Sequence, residues 1–390
     1  MKILMLPTFF GGVSWWRFEV PARALREAGH EVYCPTSDEI QAAMGKHKND
    51  FFTWIKDLLP KYDIAHVGYN SDPQFGIGLF KARDLCGVPV ITDIDDDLDS
   101  VPTYNKGWGG FHAVAKGQMV AKTQLRYSDA VTFSTEPLKA ALGYLNPHSA
   151  VLGNWVDVDS FDHATQPRRE EDRSIRIMMT GGSQRYGDWE LYEEPLKWAL
   201  NHYDGKDGKP LVRLIFVGAT PDWVEPWISS KDDPHANRVF HINGASPVTL
   251  FCKALRYVNP DIMVSPVLTN TFNKSKSGLK FLESALAGAA FLCTDYPTYD
   301  IAPKGTCIKV SNTETQWKEA LSALIEDTAL RQRLATSARA WVLENADART
   351  HINPRLDFYK SVIEGVPKDA NSHKLAVERG QDQHSQRVGQ

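Results

Sequence analysis

The sequence lacks several features that mark specialised classes of protein. No apolar run reaches the roughly 18 residues that a membrane-spanning helix needs. The five cysteines are odd in number and scattered, which indicates neither a disulfide framework nor a metal site. The net charge of −4 argues against indiscriminate nucleic-acid binding, and the dinucleotide fingerprint G-x-G-x-x-G is absent. We therefore expect a soluble protein of the reducing cytoplasm, without a dinucleotide cofactor.

The pattern that is present is an alternation of strands and helices, and it occurs twice. A chain of 390 residues is long for one core and predicts two domains of about 150–200 residues each. Lys2–Leu6 reads as a first strand rather than a signal-peptide core, and Ile175–Met179 restarts the pattern after a polar segment, 164–174. Strand, glycine turn and helix in this order predict doubly wound α/β domains.

The most informative stretch is Phe272–Leu286, FNKSKSGLKFLESAL. A short apolar run, 261–266, predicts a buried strand before it, and helical spacing followed by Gly288 predicts a helix after it. Between the two, residues 273–277 form a polar loop with lysines at a helix N-terminus, which attracts phosphate. One turn later Lys280 and Glu283 share a helix face, either to serve a nucleotide-sugar pocket or as a solvated pair.

A run of carboxylates, Asp93 to Asp97, follows the predicted strand Val88–Thr92. Three interpretations are open: contact with sugar or acceptor hydroxyls in a ligand crevice, a divalent metal site, or a solvated helix cap. We select Asp95 and Asp96 as candidates, because Asp93 is close enough to the strand to point into its packing. On the preceding strand, His66 is interpreted as structural.

Two further segments are candidates for ligand contact. Gly182, Ser183 and Arg185 follow the strand Ile175–Met179, where small residues let a backbone approach a diphosphate and an arginine neutralises it. The segment Tyr104–His112 is rich in aromatic residues and glycine, which predicts either a loop over the cleft or local packing.

The string FN-x-x-KS-x-x-K-x-x-E-x-x-x-x-G, after a strand ending in Ser265-Pro266, resembles the donor-site segment of the glycosyl transferase group 1 proteins. These are retaining enzymes of the GT-B fold, and the most similar branch includes phage and bacterial surface-sugar transferases. The family segment reads E-x7-E. Glu283 matches its second glutamate, which holds the donor ribose, whereas Ser275 departs from the first, which contacts the donor sugar.

The resemblance implies a domain plan and a set of site residues. The plan is an acceptor-side domain over 1–160, a donor domain over 173–350, a helix over 351–366 that crosses back, and a disordered tail over 367–390. The implied catalytic residues are Asp95, Asp96, Lys276 and Glu283. The implied donor-binding residues are Gly12, Arg17, Gly182, Ser183, Arg185, Asn273, Ser277, Lys280 and Glu283.

The implied reaction transfers a sugar from a nucleoside-diphosphate sugar to an acceptor hydroxyl with retention and without a metal or cofactor. Positive groups would stabilise the leaving diphosphate, and a front-face mechanism is the default. The acceptor is a saccharide or, in a phage-like enzyme, a DNA base, for which Arg17, Arg23, Arg26 and Trp15-Trp16 are compatible. The alternatives are a nucleotide-sugar epimerase of the same fold and a non-catalytic sugar-nucleotide or saccharide binder, which the serine at position 275 favours.

Overall fold

The computed structural model describes residues 1–9, 11–47, 50–105, 116–162, 174–229, 232–244 and 248–365, with the backbone alone for Ser183. Within them the chain forms two parallel six-stranded sheets. The strands of the first sheet are β1 (Lys2–Leu6), β2 (Glu31–Tyr33), β3 (Ile64–Gly68), β4 (Val90–Ile94), β5 (Ala130–Phe133) and β6 (Ser149–Val151). Those of the second are β7 (Ile175–Gly181), β8 (Val212–Gly218), β9 (Val239–Ile242), β10 (Ile262–Ser265), β11 (Ala290–Thr294) and β12 (Cys307–Val310).

Both sheets are doubly wound, as the sequence predicts. The first has the order β2-β1-β3-β4-β5-β6 and the second β12-β11-β10-β7-β8-β9. The direction of winding therefore reverses between β1 and β3 in the first sheet, and between β7 and β10 in the second. In open parallel sheets, ligands bind outside the carboxyl ends of the strands at such reversals. The fold thus predicts two places where the loops after these strands meet a ligand.

Helices cover the faces of both sheets, and the central strands are buried because of them. The helices of the first half are Gly12–Ser14, a π-helical segment Trp15–Glu19, Val20–Glu27, Ser37–Lys46, Phe51–Leu58, Pro73–Cys86, Gly117–Tyr127 and Glu136–Leu142. Those that follow β7 are Tyr186–Trp189, Glu193–His202, Glu225–Ser229, Val248–Val258, Thr271–Lys274, Leu279–Ala287, Glu314–Glu326, Thr328–Asn345 and Ile352–Gly365. Short 3₁₀ turns are Leu59–Lys61, Gly143–Leu145, Val158–Phe161, Ser183–Arg185, Glu190–Tyr192, Asp222–Val224, Pro297–Tyr299 and Ala348–His351. No helix in the described ranges is both long and apolar enough to cross a bilayer.

The last helix, Ile352–Gly365, packs against the first half of the chain. Its Tyr359 is fully buried, and the Tyr359 hydroxyl lies 2.6 Å from Nδ1 of His66 on β3. Just before this helix, the ring of His351 stacks on Trp155 with centroids 3.6 Å apart. After the second sheet the chain therefore returns to the first half.

Some predictions fall outside the described residues. They are the central and C-terminal part of the Tyr104–His112 segment, the polar segment after residue 163 and the predicted disordered tail. The domain boundaries drawn from the sequence stay predictions.

Candidate active site

The loop after β10 differs from its predicted form. Asn270 caps a single turn of helix, Thr271–Lys274, because its side chain accepts a hydrogen bond from the Asn273 backbone N–H at 2.8 Å. The prediction of a loop from 273 onward is therefore wrong for its first two residues. The remaining residues lead directly into the helix Leu279–Ala287, where Gly288 has a left-handed backbone and ends the helix as predicted.

Lys276 reaches from this loop across to the first sheet. Its Nζ atom lies 2.8 Å from Oδ1 of Asp96, which follows β4, and 4.3 Å from the ring centroid of Phe272. The two charged side chains are 18% and 32% exposed. This ion pair brings together two predicted site residues that are 180 positions apart in the chain, at the carboxyl ends of strands from different sheets.

Two further hydrogen bonds join the same loop to the first half. The Thr135 hydroxyl donates to the backbone carbonyl of Ser275 at 2.7 Å, and the Asn154 amide donates to Oγ of Ser277 at 2.8 Å. Ser275, at the position of the family's first glutamate, is buried and donates its hydroxyl to the Thr271 carbonyl at 3.3 Å. The loop is thus held against the first sheet, and Ser275 faces its own helical turn.

Tyr104 crosses between the halves at a second place. Its hydroxyl accepts a hydrogen bond from the Asn270 amide at 3.2 Å, and its ring lies over Gly187. A Cβ atom at Gly187 would be 2.8 Å from that ring, so only glycine allows this approach without a shift. The ring therefore closes part of the cleft.

The acidic run divides into residues with different surroundings. β4 extends two residues beyond its predicted end, so Asp93 belongs to the strand and is buried, as expected. Asp97 is buried as well and closes a turn by accepting from the Asp99 backbone N–H at 3.1 Å. Asp95 and Asp96 are the half-buried members between them. In the described part of the chain, no group of three or more His, Cys, Asp or Glu side chains is arranged to hold a metal ion.

Asp95 has the most altered acidity of the run. Burial is the largest cause, and repulsion from Asp96 and Asp93 adds to it, so that the pKa of Asp95 is raised to about 7 despite the opposing charges of Lys276 and Arg17. A carboxyl group that titrates near neutral pH can accept and return a proton under physiological conditions. This property separates Asp95 from the other carboxylates of the run.

Arg17 lies in the interior rather than at the cleft. It is 1% exposed, and its guanidinium donates to both carboxylate oxygens of Asp93, at 2.6 and 2.9 Å. The remaining N–H group donates to the Leu152 carbonyl at 2.5 Å and to Asn154 at 2.9 Å. Burial would raise the pKa of Asp93, but the charge of Arg17 and the hydrogen bonds from Arg17 and His66 lower it below its usual value. This placement gives no support to Arg17 as a donor ligand.

His66 is structural, as interpreted from the sequence. Its Nδ1 contacts the Tyr359 hydroxyl at 2.6 Å, and its Nε2 contacts the Thr132 hydroxyl at 2.9 Å. Burial is the largest cause and lowers the pKa of His66 to about 4, against the opposing hydrogen bond and charge of Asp93 and with smaller contributions from the cations Arg355 and Arg17. The ring is therefore neutral at physiological pH, and both of its nitrogens are engaged.

The exit of β7 lies beside the loop after β10. Arg185 donates to Oδ2 of Asp188 at 3.1 Å, and Oδ1 of the same carboxylate accepts from the Asn273 amide at 2.7 Å. The buried Asn273 amide also donates to the Leu268 carbonyl at 3.0 Å, so both of these hydrogen bonds support the loop. Arg185 is 18% exposed, while Gly182 is exposed between β7 and the turn. For Ser183 the backbone alone is described.

The predicted pair on the helix Leu279–Ala287 is formed. Nζ of Lys280 lies 2.7 Å from Oε2 of Glu283, and the glutamate is 2% exposed. The lysine also lies 5.4 Å from the ring centroid of Phe251. The interpretation as a solvated pair is therefore wrong, because the carboxylate is inside the protein. Gly12, the last predicted donor residue, begins the helix after β1, is exposed and has open space around its Cβ position.

The residues considered for a DNA acceptor do not form an exposed groove. Trp15, Trp16 and Arg17 are buried. Arg23 lies over the Trp15 ring at 4.5 Å and pairs with Asp157 at 2.9 Å. Arg26 donates to the Val32 carbonyl at 3.0 Å. This set therefore holds the helix after β1 in place.

Solved structures with a similar architecture have been determined with nucleotides bound. Anabaena HepE in complex with UDP and glucose is 14% identical to this chain and has a TM-score of 0.65. The match covers 93% of this chain and 100% of the HepE chain. A glycosyltransferase from Rickettsia africae is 15% identical over 93% of this chain and 98% of its own, with a TM-score of 0.63. An E. coli trehalose-6-phosphate structure bound with UDP-2-fluoro glucose is 13% identical, with a TM-score of 0.59, and the match covers 94% of this chain and 100% of that one.

The fold is GT-B. No protein-family model matches the sequence, and neither does any curated protein. In this GT-B chain the carboxyl ends of the two sheets meet where Lys276 contacts Asp96. The predicted site residues Asp95, Asp96, Lys276 and Arg185 lie at or beside that meeting, whereas Arg17 and Asn273 are interior supports.

Sequence reasoning missed the residues that position the site. Asp188 links Arg185 to Asn273, and its signal was the i, i+3 spacing from Arg185. Thr135 caps the helix Glu136–Leu142, and its second contact, with Ser275, has no local signal. Asn154 likewise contacts Arg17 and Ser277 from distant positions. The contacts of Thr135 with Ser275 and of Asn154 with Ser277 depend on how the two halves of the chain approach each other.

Proposed function

We propose that this chain is a glycosyltransferase of the hexosyl type. In this proposal it transfers a sugar from a nucleoside-diphosphate sugar to an acceptor hydroxyl, with retention and without a metal ion. The observation that carries the proposal is the meeting of Lys276 with Asp96, beside a carboxyl group, Asp95, that titrates near neutrality. A cation for a diphosphate and a proton acceptor for a hydroxyl are thereby brought together at the edges of two sheets.

In the proposed donor site, Lys276 and Arg185 neutralise the diphosphate. Both follow strands next to the point where the second sheet reverses its winding, where parallel sheets bind ligands. Glu283 holds the ribose in this proposal, by resemblance to the glycosyl transferase group 1 segment. HepE was also crystallised with UDP-glucose, which supports a nucleotide sugar as donor.

The proposed catalysis is electrostatic. Positive charge on the leaving diphosphate lowers the energy of the transition state, and this effect is larger in a site that excludes water. Asp95 orients the acceptor hydroxyl and takes its proton. Arg17 is given a positioning role, because it holds Asp93 and thereby the end of β4 from which Asp95 projects. Retention by front-face attack is carried over from the resemblance.

A non-catalytic nucleotide-sugar or saccharide binder is the second candidate. The specific observation in its favour is Ser275, which replaces a carboxylate of the family segment and is buried against its own helical turn. We also propose a cytoplasmic location, because the five cysteines are scattered and odd in number. A saccharide is proposed as the acceptor class in preference to DNA, because the basic and aromatic set on the first half is largely interior.

The test is release of nucleoside diphosphate from UDP-, GDP- and dTDP-sugars, with and without EDTA. We expect one donor to be turned over in the presence of EDTA, and Lys276→Ala and Glu283→Ala to lose at least about 100-fold in rate. Lys274→Ala is the matched control, because this lysine lies on the preceding turn and is exposed. It should retain the wild-type rate.

The other outcomes separate the alternatives. Donor binding without release, even when saccharides are added, would favour the binder. Release that EDTA abolishes would contradict the metal-free mechanism and return the acidic run to consideration as a metal site. Release with inverted stereochemistry in the transferred sugar would contradict retention.

A further inference from the structure

The first half of the chain contains a cavity of about 690 Å³ that the candidate site does not use. Its floor is the end of β1, from Leu6 to Thr8, and its walls are the helices Ser37–Lys46, Phe51–Leu58 and Pro73–Cys86. Asn70, directly after β3, also lines it. The cavity therefore lies at the carboxyl ends of β1 and β3, where the winding of the first sheet reverses and a ligand crevice is expected.

Aromatic side chains make up much of the wall. The rings of Phe51 and Phe75 face each other with centroids 4.5 Å apart, and Phe52 and Trp54 also line the cavity. Ile77 lies at the wall with 47% of its surface exposed. Apolar faces of this kind attract the C–H faces of a sugar ring, which are apolar although its edge carries hydroxyls.

Polar groups lie among these rings, and the charged ones among them carry a net negative charge. Two carboxylates, Asp50 and Asp72, and one cation, Lys81, line the cavity. Each carboxylate caps a helix by accepting a backbone N–H, from Phe52 at 3.1 Å and from Gln74 at 2.9 Å. Carboxylate and amide oxygens accept hydrogen bonds from hydroxyls, whereas the excess of negative charge opposes a phosphate-rich polymer.

The cavity is adjacent to the acidic run. The Thr8 hydroxyl donates to the Tyr69 carbonyl at 2.6 Å, and the Tyr69 N–H donates to the Asp93 carbonyl at 3.0 Å. β3 and β4 are neighbours in the sheet, so their ends are about one strand spacing, ~4.8 Å, apart. A ligand in the cavity thus lies on the same sheet edge as Asp95.

We propose that this cavity binds the non-reacting sugar units of an uncharged saccharide acceptor. One end of the bound saccharide points along the sheet edge toward Asp95, which receives the reacting hydroxyl. The inference rests on the proposed function for the identity of the ligand as acceptor, while the binding of a saccharide here is independent of donor chemistry. The residues that set specificity are the aromatic pair Phe51 and Phe75, with Gln74 and Ile77 at the rim.

The test measures binding of the labelled full-length chain to an array of neutral oligosaccharides, with a DNA duplex as a separate probe. Binding to an array member should weaken by about tenfold in Gln74→Ala/Ile77→Ala, which removes rim contacts worth about 1.4 kcal/mol together. Leu85→Ala is the matched control, because Leu85 is on the same helix, is 68% exposed and does not line the cavity. Alanine preserves the helix in all of these variants.

Each outcome decides the proposal. Loss of saccharide binding in the double variant, with unchanged nucleotide-sugar binding, supports it. If the double variant and the wild type bind saccharide equally, the cavity assignment is overturned while the proposed function stands. The cavity assignment is also overturned if the wild type binds no member of the array with a dissociation constant below about 1 mM. Duplex binding that the rim substitutions weaken also overturns it. If saccharide binds at the cavity but no nucleotide sugar binds, the proposed function fails and the cavity remains a saccharide site.

Discussion

Arg17 and Asp93 form a buried ion pair at the end of β4, and the pair predicts a large loss of stability in Arg17→Ala. The two side chains are 1% and 3% exposed, so removing the cation leaves an uncompensated charge in the interior. We expect a loss of about 3–5 kcal/mol in the free energy of unfolding, measured with urea at neutral pH. Arg23→Ala is the control: Arg23 pairs with Asp157 at 2.9 Å but is 44% exposed, and should cost about 1 kcal/mol or less.

A low pH should partly reverse the effect of Arg17→Ala, because a protonated Asp93 no longer carries an unpaired charge. The wild-type protein has the opposite dependence, since the pKa of Asp93 is lowered in the folded state and its contribution to stability is lost in acid. Similar losses in Arg17→Ala and Arg23→Ala would show that the buried pair does not hold the strand end.

Asp95 should make the stability of the protein depend on pH in the neutral range. Its pKa is raised to about 7 in the folded protein, so the folded state holds a proton that the unfolded state has released. Stability therefore falls as pH rises from the unfolded pKa of about 4 to about 7, and changes little above that. For a half-buried group we expect a loss of about 1–2 kcal/mol.

Asp95→Asn should remove this loss, which urea unfolding at pH 4.5 and pH 8 would measure. Asp57→Asn, an exposed position on the helix Phe51–Leu58, is the control and should keep the wild-type pH dependence. If the two variants lose stability equally between these pH values, the acidity assigned to Asp95 is wrong. The same Asp95→Asn variant should have a lower transfer rate, because an amide does not accept the acceptor's proton.

At the scale of elements, the cap of the helix Glu136–Leu142 has two functions that can be separated. The Thr135 hydroxyl accepts from the Leu138 N–H at 3.2 Å and donates to the Ser275 carbonyl at 2.7 Å. Thr313 caps the helix Glu314–Glu326 and accepts from the Gln316 N–H at 3.4 Å. We expect Thr313→Ala to cost about 1 kcal/mol and Thr135→Ala about 1 kcal/mol more, in thermal or urea unfolding. Thr135→Ser keeps both bonds and should restore stability.

The strands were the elements that the sequence predicted best. β1 has its predicted bounds, because a buried parallel strand is a continuous apolar run. β12 was missed, since this edge strand contains Lys309 and is only partly buried. The helix Ser37–Lys46 was missed as well, because none of its side chains is fully buried and its apolar stripe is limited to Ile40, Ala43 and Met44. Its capping box, Thr36 with Glu39, was the available signal.

The candidate site could be predicted only in part, because local spacing is visible in the sequence and contacts between distant segments are not. The ion pair of Lys280 with Glu283 follows from helical spacing. The pair of Lys276 with Asp96 does not, because it depends on the approach of two sheets built from separate parts of the chain. Arg17 was assigned to the donor by resemblance, and an arginine after a glycine turn gives no local sign of burial that would argue against it. Its carboxylate partner lies 76 positions away.

At the scale of the whole molecule, the loop after β10 of the second sheet meets residues that follow β4, β5 and β6 of the first sheet. The loop after β10 is joined to the first half by contacts of Lys276, Ser275 and Ser277. Of these, the contact of Lys276 is the one that a diphosphate would compete for, because it is the ionic one. In the proposed function this ion pair holds Lys276 on Asp96 until a donor arrives, so donor affinity includes the cost of separating the pair.

This competition predicts opposite effects of the two partners on diphosphate affinity. Asp96→Asn removes the charge that holds Lys276 and repels phosphate, so the dissociation constant of the released nucleoside diphosphate should fall by about 3- to 10-fold. Lys276→Ala should raise it by about tenfold or more. Both changes should shrink at high ionic strength, because salt screens half-exposed charges. Calorimetric titration of the wild type and of both variants at two salt concentrations measures these four changes in the dissociation constant.

The controls remove the same charge at a neighbouring position, so that an effect of net charge can be distinguished from an effect of the Lys276–Asp96 pair. Asp99→Asn removes a carboxylate three residues further on, which pairs with Lys122 away from the loop after β10, and should leave affinity unchanged. Lys274→Ala does the same for the cation. Weaker binding in Asp96→Asn would contradict the competition, because it would mean that the carboxylate helps to place Lys276 for the donor. In that case Asp96→Asn and Lys276→Ala together should weaken binding no more than Lys276→Ala alone.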